Sequence, residues 1–274
     1  MQQSITFAAD DFGLTRNITD TILETVDKGP VTLVSVIPNG EAVAYALEEY
    51  KKRAPHLTLA VHLNLTEGKA LSAPQNIPHL VDSRGMFKHS VMGLWLSYIF
   101  SSRARRAALR HEVRIEMEAQ YSMVRSALSA ESFIVNSHQH IHLIPFVFDE
   151  LLSLLGITRI RTVREPFQWS RSLIPMLARS VLALLSSRAA RIAHLQSIAT
   201  NDSFIGFVHS GHMTEKIFRT GLARAKGSVE ALFHPGSAAV GELSSWQRSR
   251  SNIKWHYSPW RAKEREALVA LLAK

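Results

Sequence analysis

Short apolar runs that alternate with helix-spaced segments constrain this chain more than any other feature. Residues 5–9 (ITFAA) are apolar and run into Asp10-Asp11-Phe12-Gly13. Residues 17–27 then place Ile18, Ile22 and Val26 on one helical face. A β-branched run follows at 31–37 (VTLVSVI), a helix at 42–53 and another apolar run at 57–65 (LTLAVHLNL). Alternating strand and helix argue for an α/β fold with a mainly parallel sheet. The reading continues with a long loop rich in Gly, Pro and polar residues at 67–90 and a helical stretch at 91–128. Next come a strand at 133–143, a helix at 146–155 closed by Gly156, and a short strand at 160–163. Strands are expected near 204–208 and 231–233, a helix from Thr214, a loop over 236–255 and a closing helix over 261–272.

One segment departs from this rhythm. In 170–195, Leu173, Ile174, Leu177, Val181, Leu184 and Leu185 recur at helical steps, accompanied by Arg171, Arg179, Arg188 and Arg191. No acidic residue occurs between Glu165 and Asp202. It reads as an inserted basic amphipathic helix, either a core helix with solvated arginines or an element that lies on a membrane surface.

Length and composition narrow the function classes. The 274 residues fit a single domain, 1–274, carrying that insertion, and the 46% hydrophobic content supplies a core. With no cysteine, disulfides, a thiol nucleophile and a thiolate zinc site are excluded, so any metal is held by His, Asp or Glu. No uninterrupted apolar run reaches 18 residues, and the first residues lack the pattern of a signal peptide, so the expected location is cytoplasmic, peripheral to the membrane at most. The net charge of +9 fits an anionic partner or simply a soluble basic surface. Nucleic acid ranks low as that partner, because basic and aromatic residues do not cluster together.

The unusual polar residues collect at strand ends. Asp10 and Asp11 are adjacent carboxylates after an apolar strand, costly unless a cation or donors face them, though an Asp there could also cap a helix. His62 interrupts an apolar strand and reads as a ligand or a hydrogen-bonded core histidine. Asn136, His138, His140 and His142 share one face if their strand persists, and a metal or a set of acceptors makes that stacking sensible; a polar exposed face is the alternative. His234, before Pro235-Gly236, is a candidate acid or a turn histidine. Strand-terminal Asp and His side chains of a parallel sheet can converge where such folds build their sites. One carboxylate and two imidazoles would leave coordination positions open for water and substrate.

Four segments in order carry a resemblance: Ala9-Asp10-Asp11-Phe12-Gly13-Leu14, Val61-His62-Leu63-Asn64-Leu65-Thr66, Ser137-His138-Gln139-His140-Ile141-His142 and Phe233-His234-Pro235. They resemble the YdjC/ChbG family of carbohydrate deacetylases. Val135-Asn136-Ser137-His138, Arg164-Glu165-Pro166, Ser210-Gly211-His212-Met213-Thr214-Glu215 and Leu232-Phe233-His234-Pro235 look closest to the hopanoid-biosynthesis-associated (HpnK-like) branch. The resemblance implies an irregular (β/α) barrel of TIM type and a divalent metal, Mg²⁺ or Zn²⁺, in an amidohydrolase that removes acetyl groups from amino sugars. It implies Asp11, His62 and His138 as metal ligands, Asp10 as general base and His234 as supporting acid or orienter. His140, His142, Arg164 and Glu165 are carried over as substrate-facing. Asn136 stands where the family often has Asp. The expected substrate is an N-acetylglucosaminyl glycolipid of hopanoid type; the rivals are a deacetylase of soluble chito-oligosaccharides such as diacetylchitobiose and a non-catalytic metal- or sugar-binding protein. Ligand types alone do not choose the ion, and the sequence leaves monomer and homodimer open.

Overall fold

The structure, a computed structural model, describes residues 3–170, 173–244, 246 and 253–272. Strands β1 (Ile5–Phe12), β2 (Leu33–Val36), β3 (Thr58–Leu63), β4 (Phe133–Ser137) and β5 (Ile157–Ile160) follow one another across a sheet in which every pairing is parallel. β6 (Ala199–Thr200) extends the β5 edge, while β7 (Ser203–Ile205) and β8 (Val229–Phe233) extend the β1 edge. Only Asn201 and Asp202 separate β6 from β7, so one kinked run touches both edges and the sheet must curl on itself. Asn201 fixes the kink, accepting from the Thr162 amide at 2.7 Å and donating to Thr162 O and Ser203 O. The result is the expected α/β barrel-like fold.

Strand alternation sorts side chains into two layers inside the curl. The lower layer is apolar, with Ala8, Leu33, Ala60 and Ile134 packed together. The layer above it is polar: Asp10, Ser35, His62, Asn136 and Arg161. Outward-facing residues such as Ala9, Val34, Val61 and Val135 pack under the helices in the main core. Burying each such Val or Leu side chain contributes roughly 1.5–3 kcal/mol. That outer core carries the fold, and it lets the inner upper layer be charged.

The helices follow the sequence reading with informative differences. α1 (Arg16–Val26) is capped by the Thr15 side chain, so the Asp10-Asp11 pair is not the helix cap. α2 covers Val43–Arg53. The helical stretch at 91–128 is two helices, α3 (Val91–Ile99) and α4 (Arg103–Leu128), because Ser102 turns extended and caps α4. The strand expected over 133–143 stops at Ser137, and 138–143 forms a tight 3₁₀ turn with Gln139 and His140 in the left-handed region. The short strand expected at 160–163 lies earlier, at Ile157–Ile160, with Arg161–Val163 continuing beyond the ladder. α5 (Pro145–Leu151) and α6 (Leu173–Leu195) follow, the latter filling the inserted segment; Arg171 falls outside the described residues. α7 (Glu215–Leu222), α8 (Ile253–His256) and α9 (Trp260–Ala270) complete the chain. Of the loop expected over 236–255, residues 245 and 247–252 lie outside the described residues, and α8 begins inside it.

Candidate active site

Regular alternation would send Asp10 into the barrel and Asp11 out of it. A bulge prevents this. The β1–β2 register shifts between Ala9 and Phe12, and Asp11 adopts a left-handed φ of 71°, a conformation Asp tolerates better than most residues. Both carboxylates therefore face His62: Asp10 Oδ2 lies 3.7 Å from Nδ1 and Asp11 Oδ1 lies 3.9 Å from Nε2. The 3₁₀ turn does the same for β4. It brings His138 Nδ1 to 3.5 Å from Asp11 Oδ1 and turns His140 into the same cavity. The four histidine-strand positions therefore do not share one strand face; the chain turns after Ser137.

The cavity measures about 370 Å³. Asp10, His62, His138, His140 and His234 line it, with an apolar wall of Pro175, Phe207, Val208, Leu232 and Trp255. Asp11 sits behind this lining, buried.

Asp10, Asp11, His62, His138 and His234 each face a buried polar partner. Arg161 donates from both terminal nitrogens to the two Asp10 oxygens, at 2.6 and 2.9 Å. Burial alone would raise the Asp10 carboxyl, but Arg161, helped by His62, holds it well below the ordinary carboxylate range. Arg261 Nη1 donates to Asp11 Oδ2 at 2.9 Å, and with His138 it outweighs burial and keeps Asp11 ionised too. His62 Nδ1 lies 2.7 Å from Asn136 Oδ1, while the Asn136 amide nitrogen donates to Ser35 Oγ at 2.8 Å. A carbonyl oxygen only accepts, so the ring proton is on Nδ1 and the Nε2 lone pair faces Asp11. Burial lowers His62 to about 4, so it is neutral at pH 7. His234 is backed by Glu264, which accepts from the His234 amide at 2.6 Å and lies 3.5 Å from its Nδ1. His138 Nε2 faces Glu67 Oε2 at 3.2 Å.

The remaining candidates act elsewhere. His142 turns away from the cavity, bonding Ser137 Oγ and the Arg161 carbonyl; burial lowers it to about 4. Arg164 donates to Asn201 O and does not line the cavity. Glu165 accepts the amides of Gly206, Phe207 and Val208, and so positions two residues of the apolar wall rather than lining the cavity itself. The arginines that do reach the centre are Arg161, three residues earlier, and Arg261. Arg161, Arg261, Glu264, Glu67 and His256 were not singled out from sequence. A usable signal for two of them was the Arg261-x-x-Glu264 spacing, which puts both side chains on one face of α9.

The donor set suits a divalent cation. Asp11 Oδ1 is buried and lacks a hydrogen-bond partner, and the imidazole nitrogens of His62 and His138 face it from beyond good hydrogen-bond distance. Asp11, His62 and His138 would hold the ion. Its uptake should have a measurable proton balance. Burial would lower His138, but Asp11 and Glu67 raise it to about 10, so it is protonated at pH 7 in the ion-free protein. A ligand nitrogen must shed that proton, whereas His62 is already neutral. Titration with Zn²⁺ at pH 7 in two buffers of different ionisation enthalpy should report release of about one proton per ion, with affinity rising as pH rises toward 10. Binding without proton release would contradict a protonated His138 among the ligands.

The fold and these paired side chains define a class, a barrel-like α/β protein with a buried Asp/His centre at the carboxyl ends of its strands. The chain belongs to the YdjC-like protein family, which matches residues 4–270. A carbohydrate deacetylase of Mus musculus is 30% identical over 249 residues, covering 85% of this chain and 77% of that protein. A chitooligosaccharide deacetylase of Proteus mirabilis is 26% identical over 231 residues, covering 83% and 79%. Among solved structures, a provisionally described cellobiose-phosphate cleavage protein from Enterococcus faecalis V583 superposes with a TM-score of 0.65 at 22% identity, covering 98% of this chain and 91% of that one. That likeness establishes a shared fold.

Proposed function

We propose that this protein is a metal-dependent N-deacetylase of amino sugars, and that its sugar is carried on a lipid. The observation that carries the hydrolase reading is the Asp11 oxygen without a hydrogen-bond partner, set between His62 and His138 beside the cavity that Asp10 and His234 line. Family membership and the deacetylase relatives support it. A bound divalent ion would polarise the acetyl carbonyl and lower the pKa of water. The chain's own residues handle the protons. Asp10, ionised and clamped in one orientation by Arg161, accepts the proton of the attacking water. His234, held by Glu264, supplies the proton with which the amine leaves. One amide bond and one water are consumed, and acetate and a free amino sugar form.

The lipid reading rests on α6. It is 23 residues long, and only 11% of its most apolar 18-residue window is buried, which does not fit a core helix. Ser186, Ala189 and Ala193 face the barrel, and Arg188 pairs with Asp149. Leu173, Ile174, Leu177, Leu184 and Trp169 are 68–78% exposed. Pro175 of the same helix lines the cavity, so the apolar surface and the chemistry adjoin. We read α6 as lying on a lipid surface with its exposed leucines toward the lipid and the exposed Arg191 toward anionic headgroups. The motif likeness to the hopanoid-associated branch agrees with an N-acetylglucosaminyl hopanoid as substrate. The protein should co-sediment with phosphatidylcholine vesicles containing phosphatidylglycerol, and Leu173→Ser/Ile174→Ser/Leu177→Ser should lower the bound fraction at least tenfold. Sedimentation indifferent to both anionic lipid and the triple variant would remove α6 from the account.

Relatives from Escherichia fergusonii, Proteus mirabilis and Citrobacter koseri carry the name chitooligosaccharide deacetylase. This favours a second reading, a soluble chito-oligosaccharide as substrate. Mass spectrometry for loss of an acetyl group from each substrate decides between them: turnover of diacetylchitobiose with none of the glycolipid selects the soluble reading.

A further inference from the structure

We propose that Glu67, His138 and His256 form a second metal site, facing the cavity and suited to a borderline divalent ion such as Zn²⁺. Glu67 Oε2 lies 3.2 Å from His138 Nε2 and 3.0 Å from His256 Nε2, and the three ligand atoms fall within 4.8 Å of one another. Bonds of about 2.0–2.1 Å at tetrahedral angles place neighbouring ligand atoms about 3.3 Å apart, so these side chains need little adjustment to close on an ion.

The surroundings hold that geometry. Gln139 donates to Glu67 Oε1 at 2.8 Å, while Oε2 faces both imidazoles. Asn64 Oδ1 accepts from the amides of Thr66 and Glu67, and the Glu67 carbonyl accepts from Asn39 and Asn64, so the backbone beneath the carboxylate is tied on both sides. Trp246 sets its ring edge-on to both His138 and His256. All three ligands line the cavity, whereas Asp11 of the first set does not. Coordination positions left over at this site therefore open toward the space a substrate would occupy.

The two sets share His138 through opposite nitrogens, Nδ1 toward Asp11 and Nε2 toward Glu67. One ring would then stand between two cations, whose mutual repulsion makes the second ion bind more weakly than the first, so it is taken up at higher free metal. The alternative, in which Glu67 serves only as a hydrogen-bonded carboxylate that orients His138, permits one ion and no more.

The test is equilibrium dialysis of the full chain against increasing Zn²⁺ with metal analysis, and it does not depend on deacetylation. The wild type should take up a second equivalent after the first. His256→Gln and Glu67→Gln should each lose the second while retaining the first, which also shows that the variants fold. Asp11→Asn should lose the first set and still hold one ion. Saturation of the wild type at one equivalent, or a second equivalent that survives in both His256→Gln and Glu67→Gln, overturns the proposal.

Discussion

Asp11→Asn is expected to lower acetate release by a thousandfold or more while leaving the fold intact. The substitution is chosen for its backbone. Asp11 sits at φ 71°, a region Asn also tolerates, so shape and conformation are kept. Its amide oxygen can still accept from Arg261, which donates to Asp11 at 2.9 Å. What changes is the charge that faces His62 and His138. A bound ion that activates water and polarises a carbonyl contributes several kcal/mol to the barrier, and about 4 kcal/mol corresponds to a thousandfold. Thermal melting of the same variant separates lost chemistry from lost folding. A variant that melts near the wild type and turns over at half its rate would remove Asp11 from the chemistry.

The largest effect on stability should come from Arg161→Met. Arg161 is fully buried and its guanidinium serves two carboxylates, Asp10 and Glu230, inside the barrel. Methionine fills similar volume but, among the described residues, leaves Asp10 with His62 at 3.7 Å and Glu230 with Arg159. Removing one partner of a buried ion pair typically costs about 3–5 kcal/mol, because the remaining charge is uncompensated. For a chain of this size that is a fall in Tm of roughly 10 °C. Adding Asp10→Asn to Arg161→Met should recover part of the loss, since one stranded charge is gone. Differential scanning calorimetry of both proteins checks this, and a change under about 2 °C in the single variant would mean the pair is not dry.

How much of this was legible in the sequence follows from the range of the interactions. The strands before Asp10, around His62 and before His234 announce themselves through local apolar runs, and their polar ends stood out against them. The structure brings the ligand candidates Asp11, His62 and His138 within 4.8 Å of one another. The turn at Ser137 did not announce itself, because three alternating histidines imitate a strand while Gln139 and His140 bend the chain with left-handed backbone. The bulge at Asp11 was equally silent, since nothing in Asp-Asp-Phe-Gly says that both carboxylates face inward. The partners were the least visible. Arg261 lies 250 positions from Asp11, and Arg161 lies 151 from Asp10. In a chain of net charge +9, an arginine at the end of a strand or in a closing helix reads as surface. Only the fold shows that these two are buried counter-ions, and that Arg164 and Glu165, which were read as substrate-facing, instead tie the loops after β5 and β7.

The most direct test of the metal centre is anomalous diffraction from crystals grown with Zn²⁺ or Mn²⁺. The structure predicts a peak within about 2.0–2.3 Å of Asp11 Oδ1, His62 Nε2 and His138 Nδ1 together. Protein that releases acetate at full rate yet shows no peak between those three atoms at saturating metal would contradict it.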